Sequence, residues 1–261
     1  METEQAQTLP SGIAEAILGV AYFHNMRFPF FTPPGALRSQ ELVELPHLGF
    51  HIGAGNWAEI QASYDLLYLN ETAANGQTNT QYGSGDIRIF TKVRLLRETD
   101  ILPALGLRFG TKLPNANRKD LLGTDDTDFG ADVLASKDWG VVTTHVNLGI
   151  VLLGNSGPTI GNSFKAGGQD DLFSYAVAVA SAPLGAPQQG ATKLRLLAEV
   201  TGLAGSHFDN DRATGRIGVQ MTRGAGTIYL GTSFGLMGGA EDVGVSSGFI
   251  YTFEPEKLFE E

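Results

Sequence analysis

The chain has 261 residues, 18 Lys and Arg against 28 Asp and Glu for a formal charge of −10, 34 glycines and no cysteine. The acidic balance argues against a nucleic-acid surface, which needs Lys/Arg stripes, and the missing cysteine removes disulfides and thiolate zinc sites. Charged residues make up only 18%, no helical periodicity stands out, and no apolar run approaches the roughly 18 residues of a spanning helix. What remains is a glycine-rich β protein.

Met1 to Gln7 carries neither a basic n-region nor an apolar h-region. Either the protein stays in the cytoplasm, or this is a mature chain with its signal peptide removed and an initiator Met added, in which case residues 1–12 are expected as a periplasmic tail; the rest of the sequence has to decide. From residue 13 onward the chain alternates with period two, as strands do when their faces meet different surroundings. Alternation is weaker over 13–24 and 41–52. It is clear from Trp57 to Leu69, where Ala58, Ile60, Ala62, Tyr64, Leu66 and Tyr68 oppose Glu59, Gln61, Ser63 and Asp65. Next come Ile87, Ile89, Val93 and Leu95 against Arg88, Lys92 and Arg94, then Leu105, Leu107 and Phe109 against Arg108, Gly110 and Lys112. Phe129, Ala131 and Val133 oppose Asp128, Gly130 and Asp132, and Val146, Leu148 and Ile150 oppose His145, Asn147 and Gly149. Leu194, Leu196, Ala198 and Val200 oppose Lys193, Arg195 and Glu199. Weaker segments follow the pattern around 171–182, 212–222, 227–237 and 242–253.

About twelve strands result, and the links between most of them alternate long and short. Asn25–Gln40, Asn70–Gly85, Leu113–Asp125 and Asn155–Gln169 are long, whereas Gly53–Asn56, Arg97–Asp100 and Lys137–Gly140 are tight. Tight turns at one end and long loops at the other belong to outer-membrane barrels. The expected fold is all-β: a single transmembrane antiparallel β-barrel of about 12 strands over 13–253, with short periplasmic turns, longer external loops and a C-terminal tail at 254–261. Two features favour it over a soluble sheet. The polar faces are crowded with Gly106, Gly110, Gly130, Gly149, Gly218, Gly231, Ser233 and Gly235, as a narrow lumen would be. The apolar faces end in Tyr64, Tyr68, Phe173, Tyr175, Tyr229, Tyr251 and Phe253, as an interfacial girdle would.

Gly85 to Gly154 carries four features in order: Gly85-Asp86 opening a strand, Leu113-Pro114 closing one, the loop exit Leu122 to Phe129, and His145-Asn147-Gly149 on a strand. With the closing segment Val243 to Phe253, these resemble the outer-membrane meta-pathway-of-phenol-degradation family, often described as transporters. The chain departs from that pattern at Asn115-Ala116, where the family often has Thr-Gly, and it continues eight residues past Phe253. The resemblance implies a barrel located in the cell outer membrane and, less specifically, a transport role.

Candidate chemistry concentrates on the polar faces. Arg88, Lys92 and Arg94 share a side with Arg108 and Lys112, flanked by Glu59 and Asp65 before them and Asp128 and Asp132 after. The set serves either as a track for an anionic solute or as a salt-bridge ladder closing the interior, and the bracketing acids favour the ladder. Phe28, Phe30 and Phe31, in an apolar stretch of the first long loop, would plug the lumen, admit a solute or pack on the rim. His145 is read as a structural hydrogen-bonding residue, with no serine placed to make it catalytic, so no enzyme is expected. The acidic runs 125–128 and 209–211 are read as solvated turns rather than metal sites, and no cofactor is expected. The functional expectation is passive uptake of a small solute, aromatic or hydrophobic. Two alternatives stand beside it: a non-transporting structural or adhesive barrel with a salt-bridged lumen, and a soluble ligand-binding barrel. Expected partners are outer-membrane lipid and lipopolysaccharide, the solute, and the barrel-assembly machinery, with no nucleic acid.

Overall fold

A computed structural model describes residues 3–26, 37–123, 126–154, 171–185, 190–205 and 211–258. The chain runs β1 (Ala14–His24), β2 (Leu37–Ala54), β3 (Ala58–Ala73), β4 (Thr78–Ser84), β5 (Ile87–Leu96), β6 (Ala104–Leu113), β7 (Asp128–Asp138), β8 (Val142–Leu152), β9 (Asp171–Ser181), β10 (Lys193–Ala204), β11 (Arg212–Arg223), β12 (Gly226–Gly235) and β13 (Val243–Phe253). Short 3-10 turns at Arg118–Asp120 and Pro255–Leu258 are the helical elements among the described residues.

Apart from the break between β4 and β5, each strand pairs antiparallel with its neighbours in the chain, and β1 pairs with both β2 and β13, which closes the sheet. β4 and β5 occupy one place in the wall. Both lie against β3, one beyond the other, with Leu66 opposite Ser84 and Ser63 opposite Arg88. The break between them is Gly85-Asp86, where Gly85 N–H still donates to the Asp65 carbonyl at 2.8 Å and Asp86 turns into the interior. The result is a closed 12-stranded barrel. Closure leaves no edge, so the backbone groups within the wall are paired, the condition for crossing lipid with strands.

The boundaries agree closely with the alternation, with one exception. Asn70–Gly85, expected as a loop, is a hairpin: β3 continues to Ala73 and turns through Gly76 into β4. Polar residues on both faces of Thr78–Gln81 hide the strand, because nothing there alternates. The wall is accordingly taller at β2, β3 and β4, on the long-loop end.

The two faces are sorted as in a membrane barrel. Outside, Leu48, Phe50, Ile60, Phe109, Val133 and Ile150 are exposed although apolar. Inside, Glu59, Gln61, Asp65, Lys92, Asn147 and Glu199 are buried although polar. An 11-residue strand such as β7 is about 36 Å long, enough to cross the hydrocarbon when tilted near 45°. Near the tight-turn end of β13, Phe249, Tyr251 and Phe253 stack in a column with centroids 6.4 and 5.8 Å apart. Near the long-loop end of β9, Phe173 and Tyr175 stack at 6.2 Å. Tyr229, expected among the girdle aromatics, points inward instead. It follows Ile228 and precedes Leu230, both exposed, and its hydroxyl lies 2.7 Å from where a Cβ on Gly19 would stand.

The interior wall is as crowded as its glycines suggest. The Phe90 ring lies across Gly110 and Gly130, and a Cβ on Gly110 would fall 2.1 Å from the Ile89 carbonyl oxygen. Arg108 covers the same ring, its guanidinium carbon 3.8 Å from the centroid. Toward the long-loop end the lumen changes character. Phe23, Leu42, Leu67 and Leu69 form a buried apolar cluster under Leu122 of the 114–127 loop.

Candidate functional site in the barrel lumen

Strand register assembles the charges. Glu59 lies opposite Lys92, Lys92 opposite Arg108, and Arg108 opposite Asp132, one continuous row across β3, β5, β6 and β7. A second row holds Arg88, Lys112 and Asp128. In each row two cations stand side by side, which is unfavourable unless anions offset them. In the second row they are separated by separate partners: Arg88 Nη1 meets Asp65 Oδ2 at 2.8 Å, and Lys112 Nζ meets Asp86 at 2.9 Å and Asp128 at 3.1 Å.

In the first row the bridging anion comes from the other end of the sequence. Residues 3–10 run inside the barrel, and Glu4 sits over the cation pair, 3.2 Å from Lys92 Nζ and 3.9 Å from Arg108 Nε. Lys92 is enclosed between Glu4 and Glu59, the latter at 3.1 Å, and Arg108 reaches Asp132 at 3.6 Å. Burial alone would raise the Glu4 carboxyl, but Lys92 and Arg108, helped by His51 and a hydrogen bond from Gln61, hold it at about 2 instead of 4.5.

The rest of the segment is fastened by side chains that take the place of a neighbouring strand. The Asn147 amide accepts Glu4 N–H at 2.7 Å and donates to the Glu4 carbonyl at 2.8 Å. Glu199 accepts the Thr3 N–H at 3.0 Å and its hydroxyl at 2.8 Å. Ser136 Oγ accepts Ala6 N–H at 2.9 Å, and Glu59 accepts Leu9 N–H at 2.8 Å. Glycine makes the room: a Cβ on Gly53 would stand 2.0 Å from the Pro10 carbonyl oxygen, and one on Gly106 3.2 Å from that of Ala6. Residues 1–12 were expected as a periplasmic tail; residues 3–10 lie along the inner wall of the barrel.

Of the residues singled out from sequence, Glu59, Lys92, Arg108 and Asp132 thus form one row and Arg88, Lys112 and Asp128 the other, which Asp65 joins through Arg88. Arg94 stands apart at the tight-turn end, donating to the Asn56 carbonyl. His145 lies inward beneath the segment, its Nδ1 2.8 Å from Ser136 Oγ. That hydroxyl oxygen also accepts Ala6 N–H, and the His145 tautomer sets which way the Ser136–His145 bond runs. The sequence had offered no serine to His145, and register across β7 and β8 supplies Ser136. The serine is only 1% exposed and holds the segment through Ala6 N–H. Phe28, Phe30 and Phe31 lie outside the described residues.

A second charged group was not anticipated. Arg216 on β11 lies 3.4 Å from Glu199 and 3.9 Å from Glu241, whose other oxygen accepts from Thr214 at 3.0 Å. Glu241 belongs to the 236–242 loop and is fully buried, so that loop folds inward. Two cavities flank the occupied middle. One of about 540 Å³ opens at the long-loop end between residues 37–40 and 235–242. The other, about 390 Å³, lies at the tight-turn end against Gln7–Pro10, Arg94 and Arg97.

A closed antiparallel barrel, apolar outside and charged inside, with a segment of its own chain across the lumen, has the fold of an outer-membrane channel. Solved structures agree with that class. The chain is similar to the COG4313 outer membrane channel from Pseudomonas putida F1, at 12% identity and a TM-score of 0.67 over 97% of this chain and 100% of that one. It is also similar to the translocator domain of autotransporter NalP from Neisseria meningitidis, at 12% identity and a TM-score of 0.53 over 94% and 90% of the two chains. No family model matches the chain, and no curated protein matches it.

Proposed function

We propose that this protein is an outer-membrane channel for passive uptake of a small apolar or aromatic solute, closed at rest by its own N-terminal segment. The observation that carries the solute class is the cluster of Phe23, Leu42, Leu67 and Leu69 inside the lumen. A path for sugars or ions would put polar groups there, because a polar solute crossing an apolar stretch loses its hydration without replacement. Below that cluster the charge rows and residues 3–10 fill the section, so passage requires the segment to shift toward the tight-turn end. The channel character of the Pseudomonas putida neighbour supports the reading, as does the resemblance of Gly85–Gly154 to the meta-pathway-of-phenol-degradation family, in which we place the chain. On this reading the apolar exterior faces outer-membrane lipid and lipopolysaccharide, the tight turns face the periplasm, insertion depends on the barrel-assembly machinery, and no catalysis occurs.

The test is flux into proteoliposomes of a labelled monoaromatic hydrocarbon against a sugar of similar size. The hydrocarbon should pass faster, and the Leu42→Asn/Leu69→Asn double variant, checked for heat-modifiable gel migration, should fall to the level of empty liposomes. Faster sugar flux, or unchanged hydrocarbon flux in the variant, overturns the solute class. One observation favours a second reading: the complete pairing of Lys92 between Glu4 and Glu59 also suits a permanently sealed, structural or adhesive barrel. Absence of conductance after deletion of residues 3–10 would select it.

A further inference from the structure

β2 carries an irregularity that regular alternation does not account for. Glu44 and His47 are three residues apart, and on a regular strand that spacing puts two side chains on opposite faces. Here the register of β2 shifts against β3 between Glu44 and His47, and β1 shifts to match between Gly19 and Ala21. Leu45 takes the outward position, 57% exposed, and Glu44 and His47 both face the lumen. There they meet Asp65, directly opposite His47 on β3.

One ligand-type atom from each of the three residues lies within 4.8 Å of the others, with His47 Nδ1 only 2.6 Å from Asp65 Oδ1. Four-coordinate Zn²⁺ binds N and O donors at about 2.0–2.2 Å, which sets neighbouring donors about 3.4 Å apart. The His47–Asp65 separation lies below that value and no other exceeds 4.8 Å, so small side-chain rotations suffice to gather the set. Arg88 holds the far oxygen, Asp65 Oδ2, at 2.8 Å. It fixes the carboxylate with Oδ1 toward His47, the orienting role that outer partners play around metal ligands. An imidazole with two carboxylates suits a borderline ion such as Zn²⁺ better than Ca²⁺ or Mg²⁺, which prefer oxygen alone.

We propose that Glu44, His47 and Asp65 form a site for one divalent transition-metal ion, Zn²⁺ foremost, on the lumen wall. The ion takes the place of the proton between His47 Nδ1 and Asp65 Oδ1; that proton moves to His47 Nε2, or leaves if the ring is already doubly protonated. Bound there, the ion links β2 to β3 across the bulge, where the register shift interrupts the ladder. The site is independent of which solute the barrel carries.

The experiment is calorimetric titration of metal-stripped protein in detergent with zinc sulfate, paired with thermal unfolding. One Zn²⁺ per chain is expected, with a rise in the unfolding temperature on saturation. His47→Ala and Glu44→Gln should each weaken binding about tenfold or more, while His24→Ala and His51→Ala should bind like the parent. If His47→Ala loses heat-modifiable migration, Glu44→Gln decides, because it leaves the His47–Asp65 and Asp65–Arg88 pairs intact. Absence of saturable binding at millimolar zinc, or equal binding by the parent and Glu44→Gln, overturns the site.

Discussion

Replacing Glu4 with Gln tests whether the N-terminal segment is the gate. The carboxyl is held at about 2 against an ordinary 4.5, so its charged form favours the seated segment over the released one by about 3 kcal/mol, on the order of a few hundredfold. The sign follows from the depressed value. A seated Glu4 binds fewer protons than a released one, so its contribution is complete above pH 4.5 and fades as pH falls toward 2. Gln removes the charge at all pH values without orphaning a cation, since Lys92 keeps Glu59 at 3.1 Å and Arg108 keeps Asp132 at 3.6 Å. Hydrogen bonds from Thr3, Ala6 and Leu9 remain, so the segment is loosened rather than lost. In single-channel recordings at pH 7, the variant should occupy the larger-conductance state up to about a few hundred times more often than the parent. The parent should approach the variant as pH is lowered from 5 to 3, and the variant should show a much flatter profile. Identical conductance histograms for parent and variant at pH 7, with a flat parent profile under acid, would refute the mechanism.

The same gate can be displaced sterically. Gly53→Ala puts a methyl 2.0 Å from the Pro10 carbonyl oxygen and 2.6 Å from that of Leu9, so recordings should show a raised open fraction while heat-modifiable migration persists; an unchanged trace counts against the path of residues 9–10. Gly110→Ala meets backbone at 2.1 Å and the Phe90 side chain at 2.7 Å, so urea unfolding in detergent should report a loss of about 1–3 kcal/mol, whereas Gly140→Ala, with open space but a left-handed φ of 84°, should lose less. Arg216→Met removes the guanidinium shared by Glu199 and Glu241, the latter keeping Arg212 at 3.8 Å, and stability should fall by up to about 3–5 kcal/mol; a change below about 1 kcal/mol would mean that water screens the cluster.

The barrel was readable from sequence because a wall between lipid and a polar lumen imposes period two on every strand. Asp86 to Leu96 and Val142 to Leu152 show it plainly, and the strands there run Ile87–Leu96 and Val142–Leu152. Where both sides of a strand meet polar surroundings the signal vanishes, which is why Thr78–Ser84 read as loop. Where the lumen itself turns apolar the signal misleads. Leu67 and Leu69 face inward beside outward Leu66 and Tyr68, and the resulting run Leu66–Leu69 does not reveal that two of its residues belong to an internal cluster. Tyr229 shows the same limit, since an aromatic near a strand end serves equally as girdle or as lumen filler.

The site was legible to the extent that it is made of strand neighbours. Register alone turns Glu59, Lys92, Arg108 and Asp132 into one row, and the alternation placed all four on one face. What it could not supply was the partner from far along the chain. Met1 to Gln7 has the composition of a solvated tail, and nothing local distinguishes Glu4 from an exposed acid. The signal lay in the row instead. Glu59 and Asp132 balance the two cations one for one, but Lys92 and Arg108 still stand side by side on a buried wall, and the space over them suits a further carboxylate. Glu4 occupies that space, over the cation pair that an anionic track would have offered to a solute. Asn147, Ser136 and Glu199 then appear on the inner faces of β7, β8 and β10 because a segment without a strand partner must have its backbone N–H groups met by side chains.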